Sequence, residues 1–293
     1  MKKRPIGLPV DDDFEMVEVD VLEPRQNGFL VRNVYMSVDP YMRGRMIECE
    51  SYVPGFQLGE VMDGHCIGRV LASNNETFDL GDYVLSLNGW REYYVSDGEG
   101  LMKVDPAVAP IQSFLGVTGI TGFTAWVGLH DYGQPKENQT VFVSAASGAV
   151  GSMVCQIAKL KGCRVIGSAG ADKKVAWLLD EAGIDAAFNY KTVDSIVDEF
   201  GRLCPEGLDI YFENVGGEHL EAALEHIKTF GRIVLCGMMT KVNETEPLPG
   251  PRNLDHAHRK RLRRLFCRGF ESDFALRASP EQDKELRLHP QTP

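Results

Sequence analysis

The first third of the chain carries short runs in which apolar and polar residues partly alternate. Phe29-Leu30-Val31-Arg32-Asn33-Val34-Tyr35-Met36 is rich in β-formers, and Ile67-Gly68-Arg69-Val70-Leu71 and Tyr83-Val84-Leu85-Ser86-Leu87 are further runs of that kind. Turn-forming segments bound them at Arg25-Gln26-Asn27-Gly28, Ser73-Asn74-Asn75 and Leu80-Gly81-Asp82. Strands this short and closely spaced predict a compact β barrel or sandwich. After residue 115 the texture changes. Val141-Phe142-Val143-Ser144 is a short apolar run, and Val150, Met153, Val154, Ile157, Ala158 and Leu160 then recur at helical spacing. Strands at Val165-Ile166, Ala186-Ala187-Phe188, Ile210-Tyr211-Phe212 and Ile233-Val234-Leu235 alternate with helices over 173–182, 193–200 and 218–228. That alternation predicts βαβ crossovers and a parallel sheet. The fold class is therefore α/β with an additional β domain: 1–115 for the β domain, 116–275 for the α/β domain, and a polar tail over 276–293 expected to be weakly ordered.

Composition narrows the function classes. Thirty-one Lys and Arg against 42 Asp and Glu give a net charge of -11, a poor balance for non-specific nucleic-acid binding. The seven cysteines, at 49, 66, 155, 163, 204, 236 and 267, form no CxxC pair, which argues against the usual structural zinc spacings and for reduced thiols in the cytoplasm. No apolar run approaches the ~18 residues of a membrane span, and the N-terminus lacks the apolar core of a signal peptide.

The strongest chemical signal is Ala145-Ala146-Ser147-Gly148-Ala149-Val150-Gly151, which follows a strand and opens a helix, the context of a dinucleotide site. Gly148 would admit a pyrophosphate to the backbone, and Gly151 would let helix and strand pack closely. The first glycine of the usual fingerprint is Ala146 here, so a plain small-residue turn stays open. An NAD site would place an acid after the next strand. This chain reads Val165-Ile166-Gly167-Ser168-Ala169-Gly170-Ala171-Asp172-Lys173-Lys174 there, which suits the 2′-phosphate of NADPH. Asp172 would cap the following helix, and the two lysines would otherwise be an exposed helix start.

Several segments together resemble the zinc-independent medium-chain dehydrogenase/reductases, in the branch of leukotriene 12-hydroxydehydrogenase/prostaglandin reductase, alkenal double-bond reductase and curcumin reductase. They are Met36-Ser37-Val38-Asp39-Pro40-Tyr41-Met42-Arg43-Gly44-Arg45-Met46, the Ala145–Gly151 loop, Phe188-Asn189-Tyr190-Lys191, Phe212-Glu213-Asn214-Val215-Gly216-Gly217 and Gly231-Arg232-Ile233-Val234-Leu235-Cys236-Gly237. The resemblance implies a GroES-like domain followed by a Rossmann domain. It also implies metal-free, NADPH-dependent reduction of the C=C bond of α,β-unsaturated ketones and aldehydes. It would place Ala146, Ser147, Gly148, Ala149, Val150 and Gly151 at the pyrophosphate, and Lys174 and Tyr190 at the 2′-phosphate. Asn214, Cys236 and Gly237 would line the nicotinamide half, and Tyr41 would face the substrate. Read alone, Tyr41 is a turn or core aromatic, Tyr190 a strand-end aromatic, Asn214 a turn former and His65 a plain turn or strand histidine.

Departures from the family pattern are also visible. Val242 stands where a tyrosine often follows the Cys-Gly turn, and Arg259 or a neighbour replaces another before the basic run Arg259-Lys260-Arg261-Leu262-Arg263-Arg264. That run reads as a solvated helix face. Glu271-Ser272-Asp273 follows Gly269-Phe270 where an apolar strand is expected, so the family's homodimer is left open. Nothing in 276–293 resembles the family's last elements, and the chain reads as short at both ends. A quinone reductase and a non-catalytic NADPH-binding form remain alternatives.

Overall fold

A computed structural model of the chain describes residues 1–48 and 53–266, with the backbone alone for 263–266. Cys49, Cys267, the Gly269-Phe270 segment and the 276–293 tail lie outside the described residues.

The N-terminal half is built on one antiparallel sheet. It contains β1 (Phe29–Met36), β2 (Cys66–Ser73), β3 (Tyr83–Ser86), β4 (Tyr93–Ser96) and β5 (Met102–Val104), in the order β4-β1-β2-β3-β5. A short helix, α1 (Tyr41–Arg45), leaves the end of β1. The alternation seen in the sequence sorts side chains to two faces. Phe29, Val31, Val70, Val84 and Tyr94 pack with Phe78 in one cluster, while Ile67, Leu85 and Val104 meet Ile111, Phe114 and Leu115 in another.

The second half is a six-stranded sheet in the order β11-β10-β9-β6-β7-β8. Its strands are β6 (Thr140–Val143), β7 (Arg164–Ala169), β8 (Ala186–Asn189), β9 (Leu208–Glu213), β10 (Ile227–Leu235) and β11 (Arg263–Phe266), every neighbouring pair parallel. The helices are α2 (Ile120–Val127), α3 (Ala149–Leu160), α4 (Asp172–Asp180), α5 (Ile196–Leu203), α6 (Glu218–His226) and α7 (Asp255–Arg259). Parallel strands covered on both faces should read as continuous apolar runs, and these do. Val141 and Val143 enter the cluster under α2 and α3 with Val154, Ala158 and Phe212, while Phe142 turns the other way to meet Phe188, Phe200 and Tyr211. Phe142 and Phe200 have ring centroids 4.1 Å apart.

Some boundaries differ from the sequence reading. The helix expected over 193–200 begins at Ile196, because the Ser195 hydroxyl accepts the Asp198 N–H and caps it there. The basic run is not one helix face. Helix α7 ends at Arg259, the Lys260 ammonium donates to the Leu224 and Glu225 carbonyls at the end of α6, and Arg263 opens β11. Those carbonyls lack intrahelical donors, so a lysine is well placed on them. Cys66, Cys155, Cys163 and Cys204 are buried free thiols, and Cys236 is a half-buried one. No helix among the described residues is long and apolar enough to cross a membrane.

Candidate active site

The loop from β6 into α3 makes a seat for an anion. Ala145 takes the left-handed conformation at φ +49°, and the kink is held by Ala146 N–H to the Ser168 carbonyl and Gly148 N–H to the Ala145 carbonyl, both 2.9 Å. A Cβ on Gly151 would lie 2.3 Å from the Ala145 oxygen, so α3 can rest on this loop only with glycine there. Gly148 is exposed, and its Cβ would stand 3.1 Å from that oxygen. The departure at Ala146 is accommodated across the sheet: a Cβ on Gly167 of β7 would lie 2.6 Å from the Ala146 methyl. The missing glycine of the fingerprint has in effect moved to the facing strand. Helix α3 starts with no side-chain cap and no acid in its first turn. The N–H groups of Ala149, Val150 and Gly151 precede its first internal bond, Ser152 N–H to the Gly148 carbonyl at 2.9 Å. These donors and the positive helix end favour a phosphate.

Beside this loop an open recess of ≈ 260 Å³ is lined by Ser147, Lys173, Lys174 and Trp177. Ser147 comes from the phosphate loop and both lysines from the first turn of α4, so the structure brings the two sequence signals to one place. Asp172 does not cap α4. Ala171 holds the cap position without a side-chain bond, and the Asp172 carboxylate accepts from Asn189 Nδ2 at 2.7 Å. That bond ties the start of α4 to the end of β8. Tyr190 lies over Gly170, where a Cβ would come within 2.9 Å of its hydroxyl. Its ring meets His219 edge-on at 5.2 Å, and His219 Nε2 lies 3.0 Å from the Ser168 hydroxyl. Burial pushes His219 down to about 4, so it stands behind Tyr190 as a neutral imidazole. Nothing periodic in the sequence singled it out.

The third part lies where the winding of the sheet reverses. Strands β7 and β8 lie to one side of β6, with β9, β10 and β11 to the other, so the β6/β9 crevice is the switch point at which such sheets bind ligands. Ser144 follows β6 and Asn214 follows β9. The Asn214 N–H donates to Ser144 Oγ at 2.8 Å, and Asn214 Nδ2 donates to the Ser144 carbonyl at 2.7 Å. Glu213, which sequence reading passed over as a strand residue, is fully buried. Its Oε1 accepts the N–H groups of Val215 and Gly216 at 2.6 and 2.8 Å, and burial pushes its carboxyl up. The Cys236 and Gly237 N–H groups donate to the Glu213 carbonyl at 2.9 and 3.0 Å. Asn214, Cys236 and Gly237 are thereby gathered at one edge of the crevice.

Tyr41 sits apart from this backbone framework, as the first residue of α1. It is half-buried at the margin of a cluster of Met42, Met46, Phe56 and Met62. Its hydroxyl lies 3.3 Å from His65 Nδ1, the rings edge-on at 86°. His65 stands immediately before β2, and its contact with Tyr41 had no signal in its sequence neighbours. Two arginines place α1. Arg45 makes a two-pronged bond to Asp63 and lies 4.2 Å above the Phe56 ring. Buried Arg43 donates from Nη2 to the Gly7 carbonyl at 2.7 Å and from Nε to Asn243 Oδ1 at 3.1 Å, reaching the chain that follows Cys236-Gly237. Among the described residues no three His, Cys, Asp or Glu side chains converge as metal ligands would.

Comparison with known proteins agrees with this geometry. Residues 1–104 match the family described as the N-terminal domain of oxidoreductase, and 149–278 match the one described as zinc-binding dehydrogenase. The chain is 43% identical over 254 residues to NADPH-dependent curcumin reductase of Escherichia coli, covering 87% of this chain and 73% of that protein. It is 45% identical over 255 residues to prostaglandin reductase 1 of Bos taurus (86% and 75%), and 41% over 268 residues to 2-alkenal reductase of Nicotiana tabacum (90% and 78%). The crystal structure of CurA from Vibrio vulnificus in complex with NADPH superposes with a TM-score of 0.86 at 38% identity, covering 99% of this chain and 88% of that one. Escherichia coli quinone oxidoreductase, at 20% identity and a TM-score of 0.68, shares the fold. The chain belongs to the medium-chain dehydrogenase/reductase family, on the branch of the curcumin, prostaglandin and 2-alkenal reductases.

Proposed function

We propose that the protein is an NADPH-dependent reductase of the C=C bond of small, hydrophobic α,β-unsaturated ketones and aldehydes, working in the cytoplasm. The observation that carries the reading is the recess where Ser147 of the phosphate loop meets Lys173 and Lys174, with no acid between the end of β7 and α4. The residues fit the cofactor: the cradle needs glycine at 151, the uncapped start of α3 leaves N–H donors for an anion, and the lysines match a 2′-phosphate and not a ribose hydroxyl. NADPH, when bound, supplies the hydride that saturates the β-carbon.

The chain's own residues do the rest. Ala146 to Gly151 bind the pyrophosphate through backbone donors. Lys174, with Lys173 beside it, neutralises the 2′-phosphate, and Tyr190 covers the adenosine end with His219 behind it. Asn214, Cys236 and Gly237 bound the nicotinamide half, their positions fixed by Ser144 and Glu213. Tyr41 presents a hydroxyl to the enolate end of the substrate, its α-carbon and carbonyl oxygen, where negative charge gathers as the β-carbon is reduced. In this reading the substrate-facing unit is 1–115, the cofactor unit is 116–275, and Arg43 spans the two. A thermal melt tests the cofactor step: NADPH should raise the midpoint by several degrees, and NADH at equal concentration should not. Equal shifts with both would remove the basis for NADPH.

A further inference from the structure

We propose that His65 and Tyr41 form a proton relay, in which Tyr41 protonates the reduced substrate and His65 reloads Tyr41. The inference rests on the enone reductase reading above, and it assigns a second residue to the proton half of the reaction.

Three observations lead to it. The Tyr41 hydroxyl and His65 Nδ1 are 3.3 Å apart, and the perpendicular rings bring a ring nitrogen to the hydroxyl with no face-to-face stacking. Both partners are held in place. The His65 carbonyl accepts the Ser37 N–H at 2.9 Å, and neighbouring Gly64 bridges to Asn88, with Met42 Cε packed where a Cβ on Gly64 would stand. Tyr41 is fixed by α1, which Arg43 ties to Asn243 beyond the nicotinamide-side Cys236-Gly237 turn. Finally, Arg45 is paired with Asp63, and Asp39 accepts the Ser37 hydroxyl through Oδ1 at 2.9 Å, while its Oδ2 is buried without a hydrogen-bond partner.

The chemistry balances. When hydride from NADPH has reached the β-carbon, the electron pair of the enolate forms a new C–H bond at the α-carbon with the Tyr41 proton. The Tyr41 O–H bond breaks, and the phenolate takes the Nδ1 proton of the His65 imidazolium, leaving a neutral imidazole that solvent protonates again. An imidazolium, ordinarily at about 6.5, is a far stronger acid than a phenol, ordinarily at about 10, so the proton passes downhill from His65 to the phenolate.

The test compares Tyr41→Phe, His65→Ala, His65→Gln and the Tyr41→Phe/His65→Ala double variant, each checked for a native melt. The relay predicts that each single change lowers kcat for a saturating enone by about 10- to 100-fold, leaves KM for NADPH within about twofold, and that the double variant is no slower than the slower single. Wild-type kcat in His65→Gln, which keeps a hydrogen-bonding group but no titratable nitrogen, would overturn the relay. So would single effects that multiply in the double variant. Nitrogen-15 NMR gives a readout independent of turnover: Tyr41→Phe should move the Nδ1 resonance of His65, and an unmoved resonance would overturn the contact. If the wild-type chain reduces no enone, the proposed function fails and the relay with it, while the NMR result still reports on the pair.

Discussion

The two sides of the site hold their residues by different means. On the proposed cofactor side the positions lie at strand ends and helix starts, and backbone hydrogen bonds fix many of them: Ala146 to Ser168, Cys236 and Gly237 to Glu213, Ser152 to Gly148, with the Asn214–Ser144 and Asn189–Asp172 side-chain bonds added. On the substrate side Tyr41 rides on a five-residue helix, too short to be stable by itself. Side chains from distant parts of the chain place it, through His65, the Arg45–Asp63 pair and the Arg43–Asn243 bond. A parallel sheet therefore supplies most of a dinucleotide site by its shape alone, whereas the substrate side depends on individual long side chains. Changes of backbone shape should damage the first side, and changes of side-chain chemistry the second.

Gly151→Val should have the largest effect. Its Cβ would stand 2.3 Å from a backbone oxygen, which cannot rotate away, so α3 must shift from β6. The expected cost is ~3 kcal/mol or more, read as a large fall in melting temperature and loss of stabilisation by NADPH. A normal melt and normal NADPH binding would break the contrast. Next, replacing Lys173 and Lys174 together by alanine should raise KM for NADPH about 10- to 100-fold and leave KM for NADH little changed. Equal effects on both cofactors would move the lysines away from the 2′-phosphate.

A pH effect of intermediate size belongs to His219. Burial holds it at about 4 in the folded chain, against an ordinary value near 6.5 in the unfolded one. The unfolded state therefore takes up the proton first as pH falls. The stability linked to His219 is complete above about 6.5 and is lost progressively as pH falls toward 4. Between pH 7 and pH 5 the loss is about 2 kcal/mol, measurable as a drop in the urea midpoint. His219→Phe should weaken that drop, even though it leaves the Ser168 hydroxyl without its partner. The smallest expected effect sharpens the substrate side. Arg43→Met should lower kcat/KM for an enone by about 1–2 kcal/mol, roughly 5- to 30-fold, with KM for NADPH unchanged. A rise in KM for NADPH of the same size would place Arg43 on the cofactor side.

The same difference explains what could be read from the sequence. Periodicity located strands β6 to β10 and helices α3 to α6 of the parallel half, though not α2, α7 or β11, because strands buried on both faces and helices packed against them leave continuous apolar runs and 3.6-residue repeats. The glycine-rich loop and the lysines that follow β7 were legible because each needs a residue type at a fixed offset from a strand end. The exchange of Ala146 with Gly167 was not, since it depends on which strands are neighbours. Glu213 and His219 were missed for a related reason. A buried carboxylate that organises a turn, and an imidazole that backs an aromatic ring, carry no local pattern. Tyr41 entered only by resemblance, and its partner His65 lies 24 residues away on another element. Strands β4 and β5, of four and three residues, were not picked out from the sequence, although β3, also of four residues, was. The basic run was misread as a helix face because charge alone does not show where a helix ends.

The central claim is that the chain transfers hydride from NADPH to an enone C=C bond. The direct measurement follows NADPH oxidation with a small panel of 2-alkenals and aryl enones, together with mass analysis of the product. The account predicts NADPH consumption matched mole for mole by a saturated carbonyl compound two hydrogens heavier than the substrate, with NADH far slower. A product that keeps its C=C bond and carries an alcohol, or no NADPH consumption with any member of the panel, would contradict it.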